Sequence, residues 1–383
     1  MKFVHLSDLH LGKRVYEYSM LEEQEDILNK ILKIIDAEKP DGVLLAGDIY
    51  DKPVPPAEAV ALFDSFLVQL TKRGLQVFCI SGNHDSAERL SFGAEIMNTA
   101  GVHFSKSYNG QIAKVELSDG YGPFNVYLLP FLKPVQVRRA FLGEPDAAEL
   151  DTYNKAVAYA LSKIKLNAGQ RNLLVTHQFV TGAARCESEE IFVGGSDCVD
   201  ISLFLKFDYV ALGHLHTPQS CGRPTVRYCG TPLKYSFSEV RDEKSVTVVE
   251  LLENGNVSVK TVPLTPKHDL LELKGTYEQL MLKSFYQNSP YQNAYTHLTL
   301  TDEEDIPGAA AKLRTVYHRL MKLDYDNRRT RASTEISGAD PVSSKSPFEL
   351  FEQLYELQNN QPMSREQSRY AQNLINQIWG QQE

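Results

Sequence analysis

The sequence predicts an α/β fold for most of the chain, followed by a smaller α+β domain and a helical carboxyl-terminal region. Over residues 1–230, short apolar runs alternate with longer amphipathic segments, a pattern typical of strands that alternate with helices. From about Pro263 this alternation gives way to a different order of elements. At 383 residues the chain is long enough for about two to three domains with cores of their own.

The first region contains strand and helix signals that can be placed individually. Apolar residues at helical spacing predict one helix that ends at Pro40 and another that ends at Gly74. The apolar faces consist of Ile27, Leu28, Ile31, Leu32 and Ile35 in the first helix and of Val60, Phe63, Leu67 and Leu70 in the second. Short apolar runs predict strands at residues 3–6, 43–46, 77–80, 125–129, 172–176 and 208–212. A hairpin is predicted around Asn254-Gly255, between strands at 247–252 and 257–262.

The remaining sequence divides into three parts after a first domain at residues 1–262. A small α+β domain at 263–332 is predicted to contain strands at 270–273 and 295–300 and helices at 277–282 and 307–320. Residues 333–346 are rich in Ser, with Gly and Pro, and this composition indicates a linker. Residues 347–383 are predicted to form two short helices, because Ser346 and Ser364 are each followed three residues later by a Glu or Gln that completes a capping box.

Composition and charge exclude several classes of protein. Apolar residues make up 42% of the chain and charged residues 23%, which excludes wholesale disorder and fibrous architectures. The formal charge of −9 argues against holding nucleic acid by bulk charge alone, although it leaves room for a local basic groove or for bound cations. The five cysteines include no CxxC pair, which argues against a disulfide framework and a thiolate zinc site. No apolar stretch approaches the roughly 18 residues of a membrane span, so we expect a cytoplasmic protein without a membrane partner.

Five short polar clusters follow predicted strands, where loops at the carboxyl ends of strands line a ligand crevice. The clusters are Asp8-Leu9-His10, Gly47-Asp48, Gly82-Asn83-His84-Asp85, Thr176-His177 and Gly213-His214-Leu215-His216. Each cluster alone is weak evidence, because short polar loops of this kind are usually turns. Together they supply seven oxygen or imidazole donors and no thiolate, namely Asp8, His10, Asp48, Asn83, His177, His214 and His216.

This donor set predicts a site for two divalent cations. Imidazole and carboxylate ligands suit Mn²⁺ or Fe²⁺, and Mg²⁺ less well. A single ion would not use seven protein ligands, whereas two ions bridged by a carboxylate would. Residues i and i+2 of an extended segment point the same way, so Asp8 with His10 can present two donors to one cavity, as can His214 with His216. The backbone is expected to turn sharply beneath the cluster at Gly47, Gly82 and Gly213.

The ordered set D-x-H, GD, GNHD, H and GHxH resembles the signature of calcineurin-like metallophosphoesterases. The segments HLSDLHLGK at the start and GTPLKYSFSE at 230–239 resemble bacterial nuclease subunits of that family. The resemblance spans most of the chain and implies a β-sandwich flanked by helices, a small α+β capping domain and carboxyl-terminal partner-binding helices. It also implies that one metal is held by Asp8, His10, Asp48 and His216 and the other by Asp48, Asn83, His177 and His214.

The same resemblance implies roles for the neighbours of these ligands. His84 would be the general acid or transition-state donor, oriented by Asp85. Archaeal relatives carry a further His three residues after the bridging Asp48, where this chain has Asp51, so the role of Asp51 stays open. His5 lies inside the first strand and is expected to be a hydrogen-bonded core residue rather than a ligand.

The resemblance implies a two-metal DNA nuclease that acts in DNA repair, recombination and replication. It would act as an exonuclease on duplex ends and as an endonuclease on single strands or hairpins, with His84 assisting departure of the 3′ oxygen. A phosphomonoesterase or a cyclic nucleotide phosphodiesterase is the alternative, because the metal motifs alone do not distinguish these substrates. The extra domain and terminal helices count against it. A non-catalytic scaffold is disfavoured because no ligand position has been lost.

The two terminal helices each carry an apolar stripe that calls for a partner surface. The stripes consist of Phe348, Phe351, Leu354 and Tyr355 in the first helix and of Tyr370, Leu374, Ile375, Ile378 and Trp379 in the second. Such short helices are marginal alone, so they either fold back on the chain's own core or dock on another protein. The resemblance implies docking of residues 347–383 on the coiled-coil base of an SbcC-type ATPase, with a homodimer of this chain inside a heterotetramer.

Overall fold

The computed structural model describes residues 1–167, 169–184, 189, 198–328, 330, 346–359 and 362–379. These residues belong to two compact units, which divide between Asp269 and Leu270. The predicted linker at 333–346 lies outside the described residues, except for Ser346. Within the described ranges, every helix is too short or too polar to cross a membrane.

The first unit is built on two six-stranded sheets. In spatial order, one sheet contains β16 (Val257–Pro263), β15 (Ser245–Leu251), β1 (Lys2–Leu6), β4 (Gly42–Ala46), β5 (Gln76–Ile80) and β6 (Val102–Phe104). The other contains β13 (Gln219–Cys221), β14 (Arg223–Tyr228), β12 (Tyr209–Gly213), β9 (Arg171–His177), β8 (Gly122–Leu129) and β7 (Ala113–Asp119). Two short ribbons pair β2 (Arg14–Val15) with β3 (Tyr18–Ser19) and β10 (Phe179–Val180) with β11 (Cys198–Val199).

The central strands of each sheet run parallel, so their carboxyl ends lie at the same edge. Strand β1 pairs in parallel with β4, and β4 with β5. In the other sheet β9 pairs in parallel with β8 and with β12. Antiparallel strands lie at the outer edges, including the hairpin of β15 and β16 that the Asn254-Gly255 signal predicts.

One apolar cluster fills the space between the two sheets. The ring of Phe3 on β1 lies 6.0 Å from that of Phe78 in its own sheet and 6.2 Å from that of Phe124 in the opposite sheet, edge to face in both cases. Other buried members are Leu44, Ile80, Val126, Leu173, Val175, Tyr209, Ala211 and Val249. The inward side chains of both sheets therefore share one core, and the predicted sandwich is confirmed.

Helices complete the first unit. They are α1 (Leu21–Glu38), α2 (Ala57–Lys72), α3 (Ala87–Leu90), α4 (Ala94–Asn98), α5 (Pro134–Ala140) and α6 (Tyr153–Ser162). The predicted apolar face of α1 is buried, and the helix ends before Pro40 with Lys39 in the left-handed region at φ 50°. Helix α2 ends before Gly74 as predicted, but Val60 is 44% exposed although its spacing placed it on the buried face.

The second unit contains a three-stranded parallel sheet with short helices. Its elements are β17 (Leu270–Gly275), α7 (Tyr277–Met281), α8 (Lys283–Tyr286), β18 (Tyr295–Leu300), α9 (Ala309–Leu313) and β19 (Arg319–Tyr325). The predicted helix at 307–320 is wrong in its second half, because α9 ends at Leu313 and β19 begins at Arg319. Leu313, Val316, Tyr317 and Leu320 all enter one core, so a turn and a strand produce the spacing of a helix face.

Two helices follow in the same unit, α10 (Pro347–Asn359) and α11 (Arg365–Trp379). Both predicted capping boxes are confirmed. The N–H of Glu349 donates to Ser346 Oγ at 3.2 Å, and the N–H of Ser346 donates to Glu349 Oε2 at 2.7 Å. Ser364 and Gln367 make the equivalent pair of hydrogen bonds at 3.3 and 2.9 Å. The two helix starts are thus fixed by local sequence alone.

His5 is a core residue, as predicted, and it supplies a test of the sandwich. Its Nδ1 lies 2.9 Å from the hydroxyl of Tyr209 on the facing sheet, and burial lowers the pKa of His5 to about 3. We expect Tyr209→Phe to lower the free energy of unfolding by about 1–2 kcal/mol in urea denaturation, because it leaves a buried polar atom unpaired. The control Tyr121→Phe, at a ring that is 54% exposed, should change it by less than about 0.5 kcal/mol. Equal stability of the two variants would contradict this packing.

Candidate metal centre

The loops after five parallel strands bring all seven predicted ligands to one edge of the sandwich. Asp8 and His10 follow β1, Asp48 follows β4, Asn83 follows β5, His177 ends β9, and His214 and His216 follow β12. Six of the seven side chains are buried, and Asn83 is partly exposed. Residues from both sheets therefore share one polar site, which neither sheet could form alone.

The donor atoms form two groups with Asp48 between them. In the first group, ligand atoms of Asp8, His10 and His216 lie within 4.8 Å of one another, and the two Nε2 atoms of the histidines are 3.2 Å apart. In the second group, Asn83 Oδ1 lies 3.0 Å from Nε2 of His177 and 3.1 Å from Nδ1 of His214.

The position of Asp48 joins these two groups. Its Oδ2 lies 3.3 Å from His177 Nε2 and 3.9 Å from His10 Nε2, which belong to different groups. Asp8 also comes within reach of both, because it groups with Asp48 and His177 as well as with His10 and His216.

The charges in the site call for a cation. Burial alone would lower the pKa of His177, yet the carboxylates of Asp48 and Asp8 raise it to about 9. Burial raises the pKa of Asp8 above its usual range. The buried carboxylates thus attract positive charge, which a divalent cation would supply in place of the imidazole proton. With oxygen and imidazole donors only, the set fits Mn²⁺ or Fe²⁺.

The backbone holds one imidazole in a fixed tautomer. Nδ1 of His177 lies 2.8 Å from the carbonyl oxygen of Ala46, which can only accept, so Nδ1 carries the proton. The Nε2 atom is then directed at Asn83 and Asp48. A ligating histidine needs this arrangement, with one ring nitrogen bonded to the protein and the other aimed at the ion.

Backbone strain is concentrated at the predicted ligands. Positive φ angles occur at Asp8 (53°), His10 (44°), Asp48 (48°) and His214 (107°). Each such non-glycine conformation costs on the order of 1–3 kcal/mol and persists only where its surroundings enforce it. Here the loops after β1 and β4 hold each other, with Asp8 N donating to Gly47 O and His10 N to Asp48 O, both at 3.0 Å.

The three predicted glycines serve two different purposes. Gly47 has φ 89° and makes the expected turn. Gly82 and Gly213 lack a positive φ; they are needed for space. A Cβ at Gly82 would overlap the carboxylate of Asp48, and one at Gly213 would overlap the carbonyl oxygen of Ala46.

His84 lies at the site, but a different residue orients it. Its Nδ1 is 3.0 Å from the backbone oxygen of Asp51, and its Nε2 is 4.0 Å from Asp48 Oδ2. The expectation that Asp85 orients His84 is corrected by the contacts of Asp85. That carboxylate accepts from the backbone N–H groups of Ile49, Tyr50 and Gly82, at 3.1, 2.9 and 2.9 Å. Asp85 therefore ties the loop after β4 to the loop after β5.

Asp51 also carries a side-chain contact. Its Oδ1 accepts from Lys13 Nζ at 2.7 Å and lies 3.8 Å from Nδ1 of His10. That His10 nitrogen is buried and without a hydrogen bond among the described residues. Asp51 is thus placed between the first ligand loop and His84.

Sequence reasoning missed a set of buried polar side chains behind the ligands. Gln24 Nε2 donates to the carbonyl oxygen of His10 at 2.8 Å, and the Tyr235 hydroxyl donates to that of Leu9 at 2.6 Å. Glu239 and Lys244 lie behind His216. The signal for Tyr235 and Glu239 was present in GTPLKYSFSE, whose polar residues do not fit a turn or a solvated face.

The chain is similar to known proteins over most of its length. A family model described as calcineurin-like phosphoesterase matches residues 1–218, and one described as type 5 capsule protein repressor C-terminal domain matches residues 266–359. A protein of Staphylococcus epidermidis, named as the SbcD subunit of the nuclease SbcCD, is 29% identical over 385 residues, which cover 99% of each chain. A protein of Staphylococcus saprophyticus with the same name is 30% identical over 325 residues, or 84% of each chain.

A solved structure was also found by fold comparison. A dimetal phosphatase from Danio rerio matches 69% of this chain and 98% of its own, with 13% identity and a TM-score of 0.40.

Gly82 offers a test of how tightly the site is packed. We expect Gly82→Ala to weaken Mn²⁺ binding roughly ten-fold or more, and to lower the free energy of unfolding by about 1–3 kcal/mol, because the new methyl group displaces Asp48. Calorimetric titration and urea denaturation measure the two effects. Gly120→Ala is the matched control, since its Cβ would meet no atom within 4 Å. If both variants bind Mn²⁺ like the original chain, the described packing is wrong.

Proposed function

Because the chain belongs to the calcineurin-like phosphoesterase family, we propose that it is a metal-dependent DNA nuclease that hydrolyses phosphodiester bonds. The observation that carries the proposal is the position of Asp48 between two groups of oxygen and imidazole donors. The relatives named after the nuclease SbcCD support DNA as the substrate, since one of them matches 99% of this chain, including the second unit.

In this proposal each group of donors holds one cation. Asp8, His10, Asp48 and His216 would hold the first, and Asp48, Asn83, His177 and His214 the second. Mn²⁺ fits these donors best, with Fe²⁺ or Mg²⁺ as alternatives. Bound together, two such cations lower the pKa of a water molecule and offset the negative charge of the phosphate.

His84 is the residue of this chain that would act on the leaving group. Its backbone N–H donates to Asp48 Oδ1 at 2.9 Å, which fixes the residue beside the metal donors. Because Nδ1 faces the carbonyl oxygen of Asp51, Nε2 is the ring atom available to the substrate. The side chain is 17% exposed, so it lies where DNA would enter. From there Nε2 would donate a proton or a hydrogen bond to the departing 3′ oxygen.

One digestion experiment separates the proposed substrate from the alternatives. End-labelled duplex, hairpin and single-stranded DNA would be incubated with the chain beside a phosphomonoester and a cyclic nucleotide, with Mn²⁺ and with Mg²⁺. A nuclease cleaves the DNA substrates, and the pattern of labelled products distinguishes exonuclease from endonuclease action. Hydrolysis of the small esters with intact DNA would favour the phosphomonoesterase or cyclic nucleotide alternative.

Asp48 and His84 should respond differently to substitution. We expect Asp48→Ala to lose both ions and DNA cleavage, because both donor groups depend on its carboxylate. His84→Gln should retain two ions and lose turnover by roughly 10²–10⁴-fold, because His84 acts on the leaving group. Metal content by mass spectrometry and rates of DNA cleavage measure these effects, with His318→Gln at an exposed position as the control. Fewer than two ions in His84→Gln would overturn the assignment.

We also propose that α10 and α11 dock on an SbcC-type ATPase. Large apolar side chains remain at the surface of both helices, among them Phe351 (44% exposed), Leu354 (53%) and Tyr370 (70%). The bland alternative, burial of these stripes in the chain's own core, leaves these side chains unexplained. The relatives' name describes one component of a complex, and the resemblance implies two copies of each component in that complex.

Deletion and point variants test this docking. Removal of residues 347–383 should abolish co-purification with the ATPase and leave metal-dependent cleavage of short DNA. Leu354→Glu should weaken the complex at least ten-fold, because it puts a charge into an apolar contact, while Gln353→Glu on the opposite face should not. Light scattering of the intact complex should give the mass of two copies of each component. Unchanged affinity after deletion would refute the proposal.

A further inference from the structure

A buried ion pair lies directly behind one of the predicted ligands. Lys244 Nζ donates to Glu239 Oε2 at 2.6 Å, and both residues are buried. Taking two charges out of water costs several kcal/mol per ion by order of magnitude, so a buried pair contributes little net stability. A role other than stability is therefore worth seeking in what the pair touches.

Both members of the pair contact His216. Lys244 Nζ donates to the backbone oxygen of His216 at 2.9 Å, and Glu239 Oε1 lies 3.6 Å from His216 Nδ1. The N–H of Thr231 donates to the same backbone oxygen at 3.0 Å. The backbone and the ring of His216 are thus held from one side by the segment that resembles the nuclease subunits.

The carboxylate of Glu239 is itself fixed in place. Its Oε1 accepts from the N–H of Tyr235 at 3.3 Å, and its Oε2 accepts from the hydroxyl of Thr231 at 3.3 Å. The opposite side of the His216 ring presents Nε2 to His10 Nε2 at 3.2 Å. The order of groups is therefore carboxylate, imidazole and predicted metal position.

We propose that Glu239, held by Lys244, is a positioning residue that directs Nε2 of His216 at the cation of the first donor group. With the carboxylate facing Nδ1, the ring keeps its proton on that side, and Nε2 becomes a stronger donor. His177 is held by the neutral carbonyl oxygen of Ala46 instead, so the two donor groups differ in the charge behind their histidines. This inference rests on the proposed function, because it assigns His216 to the first cation.

Calorimetric titration of the full chain with Mn²⁺ tests the proposal. We expect Glu239→Gln to weaken one of the two sites by roughly 10–100-fold and to leave the other unchanged. Glutamine keeps the side-chain volume and an oxygen that accepts hydrogen bonds, but it removes the charge. Glu243→Gln, at an exposed position of the same segment, is the matched control and should bind like the original chain.

A double variant separates positioning from folding. Glu239→Gln leaves Lys244 buried without its carboxylate partner, which can lower stability by itself. Glu239→Gln/Lys244→Met removes both charges and should recover thermal stability while the weakened Mn²⁺ site stays weak. Recovery of both stability and affinity would show a structural role and overturn the proposal, as would equal weakening of both sites.

The result is independent of DNA cleavage. If the original chain binds two Mn²⁺ ions without cleaving DNA, the proposed nuclease function fails, and the difference between the two sites still decides the role of Glu239. If the original chain binds no Mn²⁺, both proposals are overturned.

Discussion

The central constraint of this structure is the burial of the Asp48 carboxylate between two groups of metal donors. Its Oδ2 lies 3.3 Å from His177 and 3.9 Å from His10, on loops that leave different sheets. A buried carboxylate is stable only beside positive charge or hydrogen-bond donors. The two sheets must therefore keep a fixed relation to each other if the site is to exist, and the apolar core between them provides it.

The loops around Asp48 are shaped by what that position requires. Strained φ angles occur at four predicted ligands, and Gly82 and Gly213 stand where any side chain would overlap the site. Polar residues behind the ligands satisfy the backbone of the same loops, as Gln24 does for His10 and Lys244 for His216. These contacts offset the strain and hold the donors at one place before a cation binds.

Much of this architecture could be predicted from the sequence, because it follows from local patterns. Helical spacing gave α1, and the capping boxes at Ser346 and Ser364 gave α10 and α11. Contacts distant in sequence could not be predicted in this way. The strand at Arg319–Tyr325 has the spacing of a helix because its residues enter a shared core, and Asp85 binds backbone groups of another loop instead of its neighbour His84. Glu239 lies 23 positions beyond His216, so no spacing rule connects them.

The central claim is that two cations share the carboxylate of Asp48. Anomalous scattering from crystals of the Mn²⁺-loaded chain tests it most directly, since manganese can be located without reference to activity. The account predicts two peaks roughly 3.5–4 Å apart, with Asp48 between them. One peak, or two peaks of which Asp48 contacts neither or only one, would contradict it.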